Sequence, residues 1–171
     1  MGTKTYTPQS RRKYLDFILI KLFLINAIVL GGLWWYVGPL SGVVFAKIIM
    51  GTWIYCAIVF VTPLLILFFN HKTKAKGMAI FLEKVVNVLI FDLKGIKSTV
   101  AIDDIKEITI CMSPPVFDKR IDWMMWGIYS YSKFELKDGN IVVVSCLVWD
   151  NVEEVLPPSL IRRKKVWFPM M

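Results

Sequence analysis

Two long apolar runs joined by a four-residue turn constrain this chain more than any other feature. Phe17–Gly38 reads FILIKLFLINAIVLGGLWWYVG and carries one charge, Lys21. Val43–Phe69 reads VVFAKIIMGTWIYCAIVFVTPLLILFF and carries one, Lys47. At about 1.5 Å per residue the first run reaches roughly 33 Å, close to the ~30 Å hydrocarbon core of a bilayer. The second is longer than a crossing requires, so it is expected to tilt or project, with Pro63 as a candidate kink. Pro39–Gly42 is too short a link for anything but antiparallel helices. The predicted element is a two-helix membrane hairpin over residues 17–70.

Hydrophobic residues make up 56 % of the chain, and the excess over a soluble domain lies almost wholly in those two runs. The net charge of +8 is placed informatively. Arg11, Arg12 and Lys13 precede the first run, Lys72, Lys74 and Lys76 follow the second, and the turn has no cation. The positive-inside rule makes residues 1–16 a basic cytoplasmic segment and puts both termini in the cytoplasm, in a multi-pass protein of the inner membrane. Trp34, Trp35 and Tyr36 then fall at the outer interface. Lys21 and Lys47 lie near span ends, where a long stem snorkels to the headgroups. Ser10–Leu15 has a twin-arginine look, but no small-residue cleavage site follows, so export is not expected. Gly38 and Gly42 match GxxxG only across a turn, so no dimerisation face is read there.

From Gly77 the pattern changes. Val86–Asp92, Ser98–Ile102 and Ile105–Cys111 are rich in strand-forming residues, with Asp103-Asp104 as a turn or short helical start. Ile128–Leu136 and Ile141–Trp149 flank Lys137-Asp138-Gly139-Asn140, a strong hairpin signal because Gly139 tolerates positive φ. Asp150-Asn151 can cap a helix whose first turn holds Glu153 and Glu154. A further helical piece is read from Ser159 into Lys165, and Ser113–Gly127 is the longest loop. The domain is read as residues 77–156, followed by a basic, aromatic tail over 157–171.

Thr99–Ile108, the Phe134–Asn140 hairpin and the Asp150–Leu156 helix, in that order behind a membrane hairpin, resemble bacterial membrane-anchored pleckstrin-homology-like (PH-like) domains. The resemblance implies an α+β, mostly β domain: a partly open antiparallel β-barrel, or two packed sheets, capped by a C-terminal helix. It implies binding rather than catalysis. Phosphoinositide recognition is not implied, because Lys84, Lys94 and Lys97 are scattered.

Enzyme signatures are missing: no HExxH, GxSxG, P-loop or dinucleotide motif occurs, so neither cofactor nor metal is expected. The single histidine, His71, lies among lysines and reads as a solvated interfacial residue. Cys56, Cys111 and Cys146 form no CxxC pair and read as reduced, buried fillers.

Two segments suggest contact. Trp123, Met124, Met125 and Trp126 form an apolar run that either packs over an open barrel end or meets a partner or the bilayer. Arg162, Arg163, Lys164 and Lys165, followed by Trp167 and Phe168, combine charge for anionic lipid with apolar insertion, or else form a solvated tail. The expected partners are membrane lipids and a protein partner or homo-oligomer; nucleic acid is not expected. The function expected is a membrane-tethered binding or scaffold module, an accessory subunit of a membrane-associated complex. The alternative is a small oligomeric channel, transporter subunit or membrane-disrupting effector working through Lys21, Asn26, Lys47 and Thr52.

Overall fold

The computed structural model describes residues 3–7, 12–37, 42–83, 85–122 and 126–171. The chain divides into two units, Ser10–Leu65 and Met1–Gln9 with Ile66–Met171.

The first unit is helical. Helix α1 spans Arg12–Val37, α2 spans Gly42–Cys56, and α3 begins at Thr62 and runs to Ala75. Between α2 and α3 lies one π turn, Ala57–Val61. Its cause is Pro63, which has no N–H to give to the carbonyl one turn back and whose ring crowds that carbonyl; a wider turn absorbs both. The apolar side chains here point outward: Phe23 is 75 % exposed and Trp35 90 %, and Ile28, Met50, Trp53 and Tyr55 are exposed too. Among the described residues one helical stretch, Gly42–Ala75, is long and apolar enough to cross a membrane, while the apolar part of α1 is the shorter Ala27–Tyr36. The connecting turn at 38–41 and the side chains of Lys21 and Asn26 lie outside the described residues.

The second unit is a sandwich of two four-stranded sheets. Strands β1 (Thr3–Tyr6), β2 (Met78–Glu83), β3 (Val88–Leu93) and β4 (Ile96–Ala101) form an antiparallel sheet in that order. The other sheet has the order β7-β6-β5-β8, with β5 at Ile105–Met112, β6 at Ser130–Leu136, β7 at Ile141–Ser145 and β8 at Ile161–Lys165. Short helices join them: α4 (Pro114–Phe117) after β5 and α5 (Val152–Val155) before β8.

Alternation builds the core. In β2 and β3 the inward residues Ile80 and Leu82 pair in register with Phe91 and Leu89. Phe91 meets Phe134 of the opposite sheet edge-on at 5.5 Å, and Phe134 lies 6.1 Å from the Trp149 ring. Trp149, almost fully buried, also stacks on Tyr6 at 4.6 Å and so pins β1 to the core. Burial, and then the negative charge of Asp150, push the Tyr6 hydroxyl above its ordinary pKa. Cys56, Cys111 and Cys146 are free and buried.

The sheets form a sandwich, which is the arrangement of two packed sheets expected from the resemblance, and no closed barrel is found among the described residues. Other expectations need correction. The closing helix is a single turn, α5, rather than Asp150–Leu156. The helical piece expected over Ser159–Lys165 is instead a 3-10 turn, Pro158–Leu160, followed by strand β8. That strand pairs parallel with β5, so the sheet is not purely antiparallel. Strands β1 and β2 were not foreseen, and β1 joins the sheet from before the helices. His71 is fully buried, not solvated: one ring nitrogen, Nε2, donates to the Pro169 carbonyl at 2.7 Å, and Nδ1 faces the Ser145 hydroxyl at 2.9 Å.

The β6–β7 hairpin follows the sequence reading closely. Gly139 has φ +89°, and the turn is closed by Leu136 N–H to the Asn140 carbonyl (2.9 Å) and Gly139 N–H to the Leu136 carbonyl (3.0 Å). Asp103-Asp104 falls in a 3-10 turn, Ile102–Asp104.

Candidate contact surface

The basic run Arg162–Lys165 is held in place by the backbone ladder of β8 on β5, with Thr109 opposite Arg162 and Cys111 opposite Lys164. Successive side chains therefore leave opposite faces of the sheet. Arg162 and Lys164 share the outer face with Glu107, Thr109, Cys111 and Lys133, and these line a shallow cavity of about 360 Å³. Four cations, Lys133, Arg162, Arg163 and Lys164, and one carboxylate, Glu107, line it; Glu107 takes a 3.5 Å ion pair from Arg162 and a 3.1 Å hydrogen bond from the Thr109 hydroxyl, and Arg163 is paired elsewhere. The surplus is positive and suits an anionic group. Tyr131, opposite Cys111 in the ladder, has its hydroxyl pushed up to about 12 by burial and by a hydrogen bond shared with the Cys111 thiol, so it stays neutral.

Arg163 forks onto Glu153 through two hydrogen bonds, and this carboxylate raises its pKa further. Lys165 reaches Asp118 at 2.6 Å and lies over the Phe117 ring at 4.8 Å. Arg120 takes the other side of Asp118 at 2.6 Å. The Asp118 carboxyl is held below its usual range, first by the hydrogen bond from Lys165 and then by that from Arg120. These pairs tie the strand to its surroundings but leave its cations at the surface.

Of the expected contact residues, Arg162, Arg163, Lys164, Lys165 and Trp167 are exposed, Trp167 at 81 %, and Phe168 is half-buried. Trp123, Met124 and Met125 lie outside the described residues, as does the side chain of Trp126, whose backbone opens a 3-10 turn, Trp126–Ile128. Glycine is required in that turn. A Cβ on Gly127 would sit 2.5 Å from Asp122 Oδ2 and 2.7 Å from Val116 Cγ2, and the Gly127 N–H donates to the same carboxylate at 2.6 Å.

Two features escaped the sequence reading. A groove of about 680 Å³ lies between Ser98–Val100 of β4 and the β6–β7 turn. The last residues of the chain clamp the end of α3: Asn70 accepts the Met171 N–H at 2.9 Å and donates to the Met171 carbonyl at 3.4 Å, while His71 holds Pro169. The signal for the clamp was present, because Leu67, His71 and Ala75 recur at helical spacing and are all buried. Among the described residues no cluster of His, Cys, Asp and Glu is placed to hold a metal ion.

A two-sheet sandwich of this strand order, with a short helix after its seventh strand, has the architecture of a PH-like domain. A family model described as PH domain matches residues 5–153, and the chain belongs to that family. No curated protein matches, and no solved structure matches. The matched stretch starts inside β1 and runs through the helical unit, whereas β8 and the clamp residues Pro169 and Met171 lie beyond it. PH domains are binding or scaffold modules that commonly take lipids or proteins.

Proposed function

We propose that this protein is a membrane-tethered binding or scaffold module whose sandwich works at the cytoplasmic face as an accessory subunit of a membrane complex. The observation that carries this reading is the pairing of β1 with β2. Thr3 lies opposite Glu83 and Tyr6 opposite Ile80, so residues on either side of the helical unit belong to one sheet. Two hydrogen-bonded strands occupy one side of a bilayer, so the chain between them crosses an even number of times. One crossing by the apolar stretch from Gly42 would separate β1 from β2; α1 has to return the chain. At about 1.5 Å per residue, the 26 residues of α1 reach roughly 39 Å, and Gly42–Leu65 reaches roughly 36 Å, each enough for a core of ~30 Å. The outward apolar side chains of both helices are what hydrocarbon rewards. Lys72 and Lys74 in the last turn of α3, with Lys76 just after it, favour the cytoplasmic side.

The pore reading has less support. The Thr52 hydroxyl turns back to the Ile48 carbonyl at 2.9 Å, and the cavity beside it is lined mainly by Val29, Tyr55, Cys56 and Phe60.

The test is alkaline extraction of membranes followed by mild-detergent purification, native mass measurement and mass spectrometry of what co-purifies. The expected result is an extraction-resistant protein with a stoichiometric partner. Release by alkali would remove the membrane reading. A homo-oligomer that conducts ions in bilayers and brings no partner would replace the adaptor reading with the pore.

A further inference from the structure

Among the described residues the two sheets end in four outer strands, β1, β4, β7 and β8. An outer strand presents unpaired N–H and C=O groups, a template for pairing with another chain, and side-chain charge is one way to blunt it. Three of these edges are blunted: Lys4 stands in β1, Lys97 in β4 and Arg162–Lys165 in β8. Strand β7 is different. It reads Ile-Val-Val-Val-Ser, with no charge and no proline. Its register with β6 runs without a shift from Ile141 to Ser145, and Ile141 is 60 % exposed. There is room beside it as well. The groove of about 680 Å³ has Ile141 and Val142 on one side and Ser98, Thr99 and Val100 of β4 on the other.

The backbone shows which groups are free. At one end of the β6–β7 hairpin Leu136 N–H donates to the Asn140 carbonyl, and at the other Cys146 N–H donates to the Ser130 carbonyl. Antiparallel bonding alternates, so Val142 and Val144 also face β6, while Ile141, Val143 and Ser145 turn their N–H and C=O outward. The Ser145 carbonyl is already taken by the N–H groups of Val148 and Trp149. Ile141 and Val143 remain, with two donors and two acceptors. Strand β7 of a second copy matches them. About a two-fold axis at Val142, Ile141 of each copy lies opposite Val143 of the other, and four hydrogen bonds use every one of these groups. An axis at Val143 would set Ile141 against Ser145, whose carbonyl is spent.

Charge selects the same register. Ile141 lies beside Glu135 in the ladder, a residue that also holds Lys106, and Val143 lies beside Lys133. With the axis at Val142, each row across the seam ends in Glu135 on one copy and Lys133 on the other. With the axis at Val143, the central row would end in Lys133 twice.

We infer that this protein self-associates through β7, in an antiparallel β7–β7 seam that joins two β7-β6-β5-β8 sheets into one eight-stranded sheet. The occupant of the edge is a second copy because the free groups of β7 complement themselves, and because an uncharged strand presents nothing that repels its own copy. The inference stands apart from the membrane reading, since it concerns the sandwich alone.

The test uses the full chain in mild detergent. Val142→Cys puts a thiol on the axis, where facing Cα atoms of a non-hydrogen-bonded pair lie about 4.5 Å apart, within reach of a disulfide. Asn140→Cys is the control, because two residues of offset on each copy separate the thiols by about 14 Å along the strand. The expected result is a cross-linked dimer of this chain from Val142→Cys under mild oxidation, and none above the parent's level from Asn140→Cys. Native mass should fall by half in Val143→Pro, which removes an outward N–H without taking a bond from β6, and in Ile141→Lys, which gives the edge the charge it lacks. The cross-link and Ile141→Lys keep the result readable if Val143→Pro does not fold. A monomeric parent with no cross-link at position 142 overturns the inference. So does an oligomer whose mass neither substitution changes, which puts the assembly elsewhere. A cross-link from position 142 to a different protein alone would make β7 the seat of a foreign strand and overturn the second copy as its occupant.

Discussion

The helical unit and the sandwich are built from much the same apolar residues and dispose of them oppositely. In the sandwich Ile80, Leu82, Phe91 and Phe134 point inward and are almost fully buried; in the helices Phe23, Ile28, Trp35 and Trp53 point outward. The sandwich gains its stability by removing apolar surface from water. A helix that leaves such surface outside has no comparable gain in water, but loses nothing in hydrocarbon. The contrast teaches that the two units dispose of apolar surface in opposite ways, which in the membrane-tethered reading proposed above reflects two different solvents.

Substitutions can break this contrast or sharpen it. Trp149→Ala removes the ring that joins Tyr6 of β1 to Phe134, and should cost about 3–5 kcal/mol. Phe23→Ala in the helical unit should change stability by only about 0.5 kcal/mol. Thermal unfolding of both variants in the same detergent, followed by near-ultraviolet circular dichroism, makes the comparison; equal losses would erase it.

His71→Ala leaves the Pro169 carbonyl without its imidazole donor and the Ser145 hydroxyl without its imidazole partner, at about 1–3 kcal/mol for each buried group left unmade. The loss should appear as faster amide exchange over residues 166–171, since the clamp releases before the sheets do. Unchanged exchange there would mean that the clamp contributes nothing.

Gly127→Ala should cost about 1–3 kcal/mol, because its methyl group must displace Asp122 and Val116. A melting temperature equal to that of the parent would show that the turn relaxes freely.

The smallest effects belong to surface charge. Arg163→Ala should lose no more than about 1 kcal/mol, as exposed pairs do. Asp118 has a folded pKa below its unfolded value, so its contribution is fully present above the unfolded carboxylate range, about 3.9, and is lost as pH falls through the folded value. Melting temperatures measured down a pH series should therefore converge for the parent and Asp118→Asn at the acid end and separate near neutrality. A constant difference would show that the pair does not respond to protonation.

Local chemistry made part of this fold legible. The Asp138-Gly139 turn, the runs that became β3, β4 and β5, and the apolar helices each carry their own signal within a few residues. What was hidden depends on distant partners. Strand β1 is four residues of mostly polar sequence, and it is a strand only because β2 offers a ladder some seventy residues later. Strand β2 directly follows a long helix, where a short apolar run has no period to separate it from that helix. Strand β8 reads as a cationic tail because four successive charges mask its alternation; β5, Glu107, Glu153 and Asp118 make it a strand, and none is a sequence neighbour. His71 was misread by weighing the lysines beside it instead of Leu67 and Ala75 one turn away on each side. The candidate contact run was legible as charge and aromatic residues at 162–168, but the carboxylates that hold its cations, Glu107, Glu153 and Asp118, were not.

The central claim is that β1 and β2 lie on one side of a membrane which the helices cross and recross. Single cysteines at Thr7, Lys76 and Ser41, in a background where Cys56, Cys111 and Cys146 are alanine, can be probed in intact cells with a membrane-impermeant maleimide. The account predicts labelling at position 41 from outside, and labelling at 7 and 76 only after lysis. Labelling of position 7 and position 76 from opposite sides would contradict it.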